Sequence, residues 1–151
     1  LTRCIDLGAS GGFVRHEGSF LETLIDWAGE PGVDVILDPV GANYMEDNLS
    51  SLGVGGRLIL IGLMGGHEIT LNLGMLLMKR VSIVGSTLRS RPVAAKSAIM
   101  DSLKEVVWPK LETGQIKPII ECVVQIEDAE TAHEIIAGNE TFGKVVLEVF
   151  S

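Results

Sequence analysis

The chain has 151 residues, 46% of them hydrophobic and 5% aromatic, which is single-domain length with ample material for a core. Its formal net charge of −8 disfavours a nucleic-acid partner, because a phosphate backbone is held by surplus cations. No apolar run is long enough to span a bilayer and the first residues show no signal-peptide pattern, so the expectation is a soluble, cytoplasmic protein without a membrane partner.

In chain order, residues 1–7 read as the tail of a helix ended by Gly8, and residues 12–16 as a short strand. Ser19 is a candidate N-cap with Glu22 as its capping-box carboxylate. Phe20, Leu21, Leu24, Ile25 and Ala28 recur at helical spacing until Gly29 and Pro31. Residues 33–38 form a first apolar strand. A helix over about 43–52 follows, broken by Gly53, Gly55 and Gly56, and then a second strand over 57–61. Residues 69–78 read as a very apolar helix and 81–86 as a third strand. Pro92 suits the first turn of a helix reaching about 111, where its missing N–H costs nothing. Beyond Pro118, strands over 119–126 and 144–149 flank a helix over 128–137. Alternating units of this kind predict an α/β fold.

The runs Val33-Asp-Val-Ile-Leu-Asp-Pro-Val-Gly41 and Arg57-Leu-Ile-Leu-Ile-Gly-Leu-Met-Gly-Gly66 are continuously apolar over strand length. Such strands are expected to be buried on both faces of a parallel sheet. Ligands of these sheets bind beyond the carboxyl ends of the strands, at residues 38–41 and 62–66 here. Asp38-Pro-Val-Gly41 admits two accounts: close backbone approach to a cofactor, or an ordinary turn capped by Asp38. Gly62-Leu-Met-Gly-Gly66 could offer uncovered backbone groups to a carboxamide, or could be a plain connection.

Gly8-Ala-Ser-Gly-Gly12 resembles a degraded phosphate loop, but a helix rather than a strand is expected before it, which favours a simple turn. Lys79-Arg80 and Arg89-Ser-Arg91 suffice for one phosphate or a surface ion pair. Cys4 and Cys122 fit neither a zinc spacing nor a redox pair, so idle thiols in a reducing compartment are expected. His16, His67 and His133 join no ligand cluster, and no nucleophilic triad is defensible. No catalytic residue and no metal ligand is named.

Taken together, these runs resemble the carboxyl-terminal half of the zeta-crystallin-type quinone oxidoreductases, of the medium-chain dehydrogenase/reductase superfamily. The resemblance is carried by Leu7-Gly-Ala9, Gly32 with the run to Gly41, Gly56-Arg57, Gly62 to Gly66, Leu88-Arg-Ser-Arg91, residues 129–133 and Gly143-Lys-Val-Val-Leu-Glu148. The Gly-Leu-Met-Gly-Gly and Leu-Arg-Ser-Arg runs look closest to the tumour-suppressor-inducible branch. That family joins a GroES-like catalytic domain to a Rossmann domain and reduces quinones or enones with NADPH, without zinc. The resemblance implies cofactor contacts at Pro39, Val40 and Gly41, a nicotinamide loop at Leu63, Met64 and Gly65, a further cofactor edge at Thr87 and Leu88, and a polar position at Thr141.

By the same resemblance, residues 1–118 are a partial Rossmann domain lacking its first two strands, and residues 119–151 return into the catalytic domain. The start at Leu1 rather than Met suggests a fragment or processed product. In the strand order 3-2-1-4-5-6, the missing strands would orphan residues 12–16 and expose the edge of 33–38. The segment alone is therefore expected to rearrange, to oligomerise through its edges, or to belong to a longer polypeptide. The leading expectation is the carboxyl-terminal portion of an NADPH-dependent quinone oxidoreductase, inactive by itself. The rivals are a noncatalytic dimerisation module pairing through residues 81–86 and the enoyl-reductase part of a synthase, the latter disfavoured by the end of the chain just after Val149. A small-molecule quinone or enone and a homodimer partner are implied.

Overall fold

The computed structural model describes residues 1–14 and 17–150. It separates into two compact units, Leu1–Ser90 and Arg91–Ser151. The first holds helices α1 (Thr2–Asp6), α2 (Leu21–Ala28), α3 (Met45–Ser51) and α4 (Leu73–Lys79) with strands β1 (Val33–Asp38), β2 (Leu52–Leu60) and β3 (Ser82–Gly85). The strands are all parallel and lie in the order β1-β2-β3. Parallel neighbours require crossovers, and α3 and α4 supply them. The α/β class expected from the sequence is the one observed.

The core of this unit is Met45, Leu49, Leu52 and Leu58, with Ile36, Leu60, Met75, Leu76 and Ile83 packed against it. Ile36, Leu58 and Ile83 share one sheet face by register, and the helices cover that face. The opposite face carries Leu37, Ile59 and Val84 in register. Leu37 is 64% exposed and Val35, on the same side, 53%. Burial on both faces, expected from the unbroken apolar runs, is therefore corrected: both crossover helices pack on the same side.

Further differences have local causes. The second strand starts at Leu52 rather than 57, because Val33 pairs with Leu52 and the chain re-enters register at Val35 and Arg57. Glycine makes this start possible. A Cβ on Gly53 would collide with the Pro31 carbonyl oxygen, and one on Gly32, at φ +74°, with the Ser51 carbonyl oxygen. The expected strand over 12–16 does not form at residues 12–14, and Arg15 and His16 lie outside the described residues. Ser19 Oγ accepts the Leu21 amide at 3.2 Å and donates to Asp47 Oδ2 at 3.0 Å. It thus braces α2 against α3 from one residue before the N-cap, which is Phe20.

The second unit begins with α5 (Val93–Val106) and α6 (Trp108–Glu112). The single helix expected to 111 is interrupted at Val107, because Pro109 has no N–H with which to continue the ladder. Pro92 is the N-cap rather than a first-turn residue. Strands β4 (Ile120–Gln125) and β5 (Lys144–Glu148) pair in parallel, joined through α7 (Ala129–Ala137). Gly143, at φ +108°, leads into β5, and a Cβ there would lie 2.5 Å from the Ile119 carbonyl oxygen.

Candidate nicotinamide-binding loops

Asp38 ends β1 on the covered face and is 3% exposed. Its Oδ1 accepts the Val40 amide at 2.6 Å, and its Oδ2 accepts the Gly41 amide at 3.1 Å and the Asn48 side-chain amide at 3.0 Å. A carboxylate accepting backbone amides two and three residues on shapes its own turn. The turn account of Asp38 is thus correct locally. Its consequence is to present Pro39, Val40 and Gly41 as a formed ledge.

The second loop is laced to that ledge. Ile61 donates its amide to the Asp38 carbonyl at 2.9 Å, Met64 to Pro39 at 3.2 Å and Gly65 to Val40 at 2.7 Å, while Ala42 donates back to Gly66 at 3.0 Å. Such spacing leaves no room for side chains. A Cβ on Gly41, at φ +84°, would lie 2.8 Å from the Gly66 carbonyl oxygen, and one on Gly65 would lie 2.7 Å from Val40 Cγ1. Gly41 is buried under this second loop, whereas Pro39, Leu63 and Met64 are exposed. Of the backbone groups that the 62–66 loop could offer to a carboxamide, the Met64 and Gly65 amides are already committed to the ledge.

Thr87 and Leu88 follow β3, whose ladder is extended by Ser86 donating to the Leu60 carbonyl at 2.8 Å. Both are exposed. Thr87 joins Ile61, Gly62 and Leu63 around an open cleft of about 590 Å³ at the carboxyl ends of β2 and β3. The structure therefore gathers residues 39–41, 63–65 and 87 along one end of one sheet. Thr141 lies in the second unit, in the connection between α7 and β5.

Other candidates resolve differently. Gly8 to Gly12 follows helix α1 rather than a strand, so it lacks the strand-loop-helix setting of a phosphate cradle. Lys79 is no phosphate ligand: its Nζ donates to the carbonyls of Leu49, Ser50 and Leu52 at 3.0, 2.7 and 2.8 Å. It caps the end of α3, where carbonyls lack helical partners. Cys4 and Cys122 are free thiols, half-buried. Asn48, 4% exposed, was not expected to matter. The signal was present, since Met45, Asn48, Leu49 and Leu52 have the spacing of a buried helical stripe and only Asn48 is polar.

Residues 7–147 match the family model described as zinc-binding dehydrogenase. Quinone oxidoreductase of Rattus norvegicus is 30% identical over 141 residues, which are 93% of this chain and 41% of that protein. Among solved structures, an NAD-dependent alcohol dehydrogenase aligns with a TM-score of 0.80 at 30% identity, over 99% of this chain and 41% of its own. A quinone oxidoreductase of Escherichia coli, crystallised with NADPH, shares the fold at a TM-score of 0.81 and 23% identity, over 98% of this chain and 46% of its own. The chain thus spans less than half the length of these relatives. Among the described residues, no three His, Cys, Asp or Glu side chains converge as a metal site, so the zinc in the family's description has no fitting ligand set here. From the match over nearly its whole length, the chain belongs to the zinc-binding dehydrogenase family of oxidoreductases and is a relative of the quinone oxidoreductases.

Proposed function

We propose that this chain is the carboxyl-terminal portion of an NADPH-dependent quinone oxidoreductase, with residues 1–118 as part of the nucleotide-binding domain and 119–151 as the returning piece of the catalytic domain. The carrying observation is the lacing of residues 39–41 to 63–66 at the carboxyl ends of adjacent parallel strands. The carboxyl ends of parallel strands are where open α/β sheets bind their ligands, which supports this reading. When bound, the reduced nicotinamide supplies hydride to a quinone or enone without zinc. The chain's own part is placement. Pro39, Val40, Leu63 and Met64 form a partly apolar shelf, Gly41 and Gly65 let its two layers touch, and Thr87 and Leu88 border the cleft beside it. Thr141 is a further cofactor contact in this proposal.

Among the described residues, the glycine-rich loop after β2 spends its Met64 and Gly65 amides on residues 39 and 40 and reaches a helix only at Leu73. In this proposal no loop therefore cradles the pyrophosphate, and the isolated chain binds the cofactor weakly and does not turn over. Titration of NADPH and NADH into the ¹⁵N-labelled chain tests this. Shifts at the amides of Val40, Gly41, Leu63, Gly65 and Leu88 are expected at millimolar nucleotide, without quinone reduction. Their absence removes the nicotinamide assignment, and micromolar binding with turnover removes the inactivity.

A homodimer through β3 is favoured by one observation: among the described residues β3 pairs only with β2, leaving its other edge open. A mass that stays monomeric across the accessible concentration range excludes it.

A further inference from the structure

We infer that Asn48 is a positioning residue that sets the shape of the two-loop shelf through Asp38. Its ligand-binding consequence rests on the nicotinamide assignment above. Asp38 and Asn48 are buried together, and Asn48 Nδ2 donates to the same carboxylate oxygen that accepts the Gly41 amide. A buried carboxylate deprived of a donor must turn toward another or admit water. Either response loosens Oδ2 from Gly41. The Gly41 backbone leads directly to Ala42, whose amide is bonded to Gly66, and it runs so close to Leu63 that a Cβ on Gly41 would meet that residue. A change in the middle of α3 therefore reaches the Leu63 to Gly66 loop through three hydrogen bonds and one peptide.

Ser51 supplies the internal control. It is equally buried and polar and lies on the same helix, but its Oγ donates to the Asp47 carbonyl and touches neither loop. Loss of a buried polar group from α3 can thus be separated from loss of the brace.

Hydrogen exchange by NMR on the whole 151-residue chain tests the inference. Asn48→Leu is expected to speed exchange of the Met64 and Gly65 amides by about tenfold relative to the central β2 amides. Ser51→Ala should leave that ratio unchanged. In the wild type, one Asn48 side-chain proton should exchange slowly. Affinity for reduced nicotinamide mononucleotide should fall in Asn48→Leu and hold in Ser51→Ala when each is compared as folded protein. An unchanged exchange ratio in Asn48→Leu overturns the inference. Should that variant fail to fold, rapid exchange of both wild-type Asn48 side-chain protons overturns it. If the exchange ratio changes as expected but the wild type binds no mononucleotide, the brace stands and the nicotinamide assignment falls.

Discussion

The two ends of the β1–β2 pair use glycine in opposite ways. At the amino end, Gly32 and Gly53 bring backbone onto backbone and the contact is closed: their missing side chains would fall on the Ser51 and Pro31 carbonyl oxygens. At the carboxyl end, Gly41 and Gly65 also permit a close crossing, but exposed Leu63 and Met64 stand on top of it. A glycine cluster therefore marks close approach, not a site. What separates the two ends is their place on the sheet, since only the carboxyl end lies where open parallel sheets hold their ligands. Helix α3 lies between the two ends and is pinned at its middle by Asn48 on Asp38 and at its carboxyl end by Lys79 on its last carbonyls.

The largest expected effect lies at the closed end. Gly32→Ala forces a residue with a Cβ to φ +74° and against backbone that cannot withdraw, at a cost of about 3–5 kcal/mol. A urea titration reads this as a lower midpoint at an unchanged slope. Gly41→Ala, at φ +84° and 2.8 Å from the Gly66 oxygen, is expected to cost about 2–4 kcal/mol. Part of that strain can be relieved by lifting the exposed loop. The distinguishing sign is local: Gly41→Ala should speed exchange at Met64 and Gly65, whereas Gly32→Ala should not single them out. Equal and purely global losses in both variants would remove the distinction between the ends.

Lys79→Met tests the pin at the far end of α3. The substitution keeps most of the stem but removes the ammonium from three carbonyls, for an expected loss of about 1–3 kcal/mol. The thermal midpoint should drop while nucleotide-induced shifts at Gly65 persist. A loss of those shifts in folded Lys79→Met would mean that α3 transmits disturbance along its whole length.

Much of this was legible because strand and glycine signals are local. The runs ending at Asp38 and Ile61 predict both strands, and the glycines after them mark the loops at the strands' carboxyl ends. Whatever depended on a distant partner was not legible. Gly53, Gly55 and Gly56 read as a break, yet β2 passes through them because Val33 is there to pair with Leu52. The run read as continuously apolar in β1 predicts two covered faces, while the positions of α3 and α4 decide that one remains open. Lys79 reads as part of a phosphate site or a surface ion pair, and its three carbonyls come from the end of α3 and the residue after it, about thirty residues earlier. Pro109, by contrast, could have been read as the interruption between α5 and α6 from its chemistry alone.

The smallest stability effect should accompany the most informative substitution at the open end. Met64 is 87% exposed, so its side chain adds little to the core, and Met64→Ala should change stability by less than about 0.5 kcal/mol. Its backbone bond to Pro39 is unaffected by truncation, which leaves the shelf in shape. If the exposed thioether is a wall for the nicotinamide, the affinity for reduced nicotinamide mononucleotide should fall severalfold at constant thermal midpoint. The loss comes from apolar contact, so it should persist at high salt, unlike the loss of a phosphate contact. An affinity unchanged by truncation at Met64, together with one reduced by Gly41→Ala, would move the ligand from the top of the second loop to the ledge formed by Pro39 and Val40.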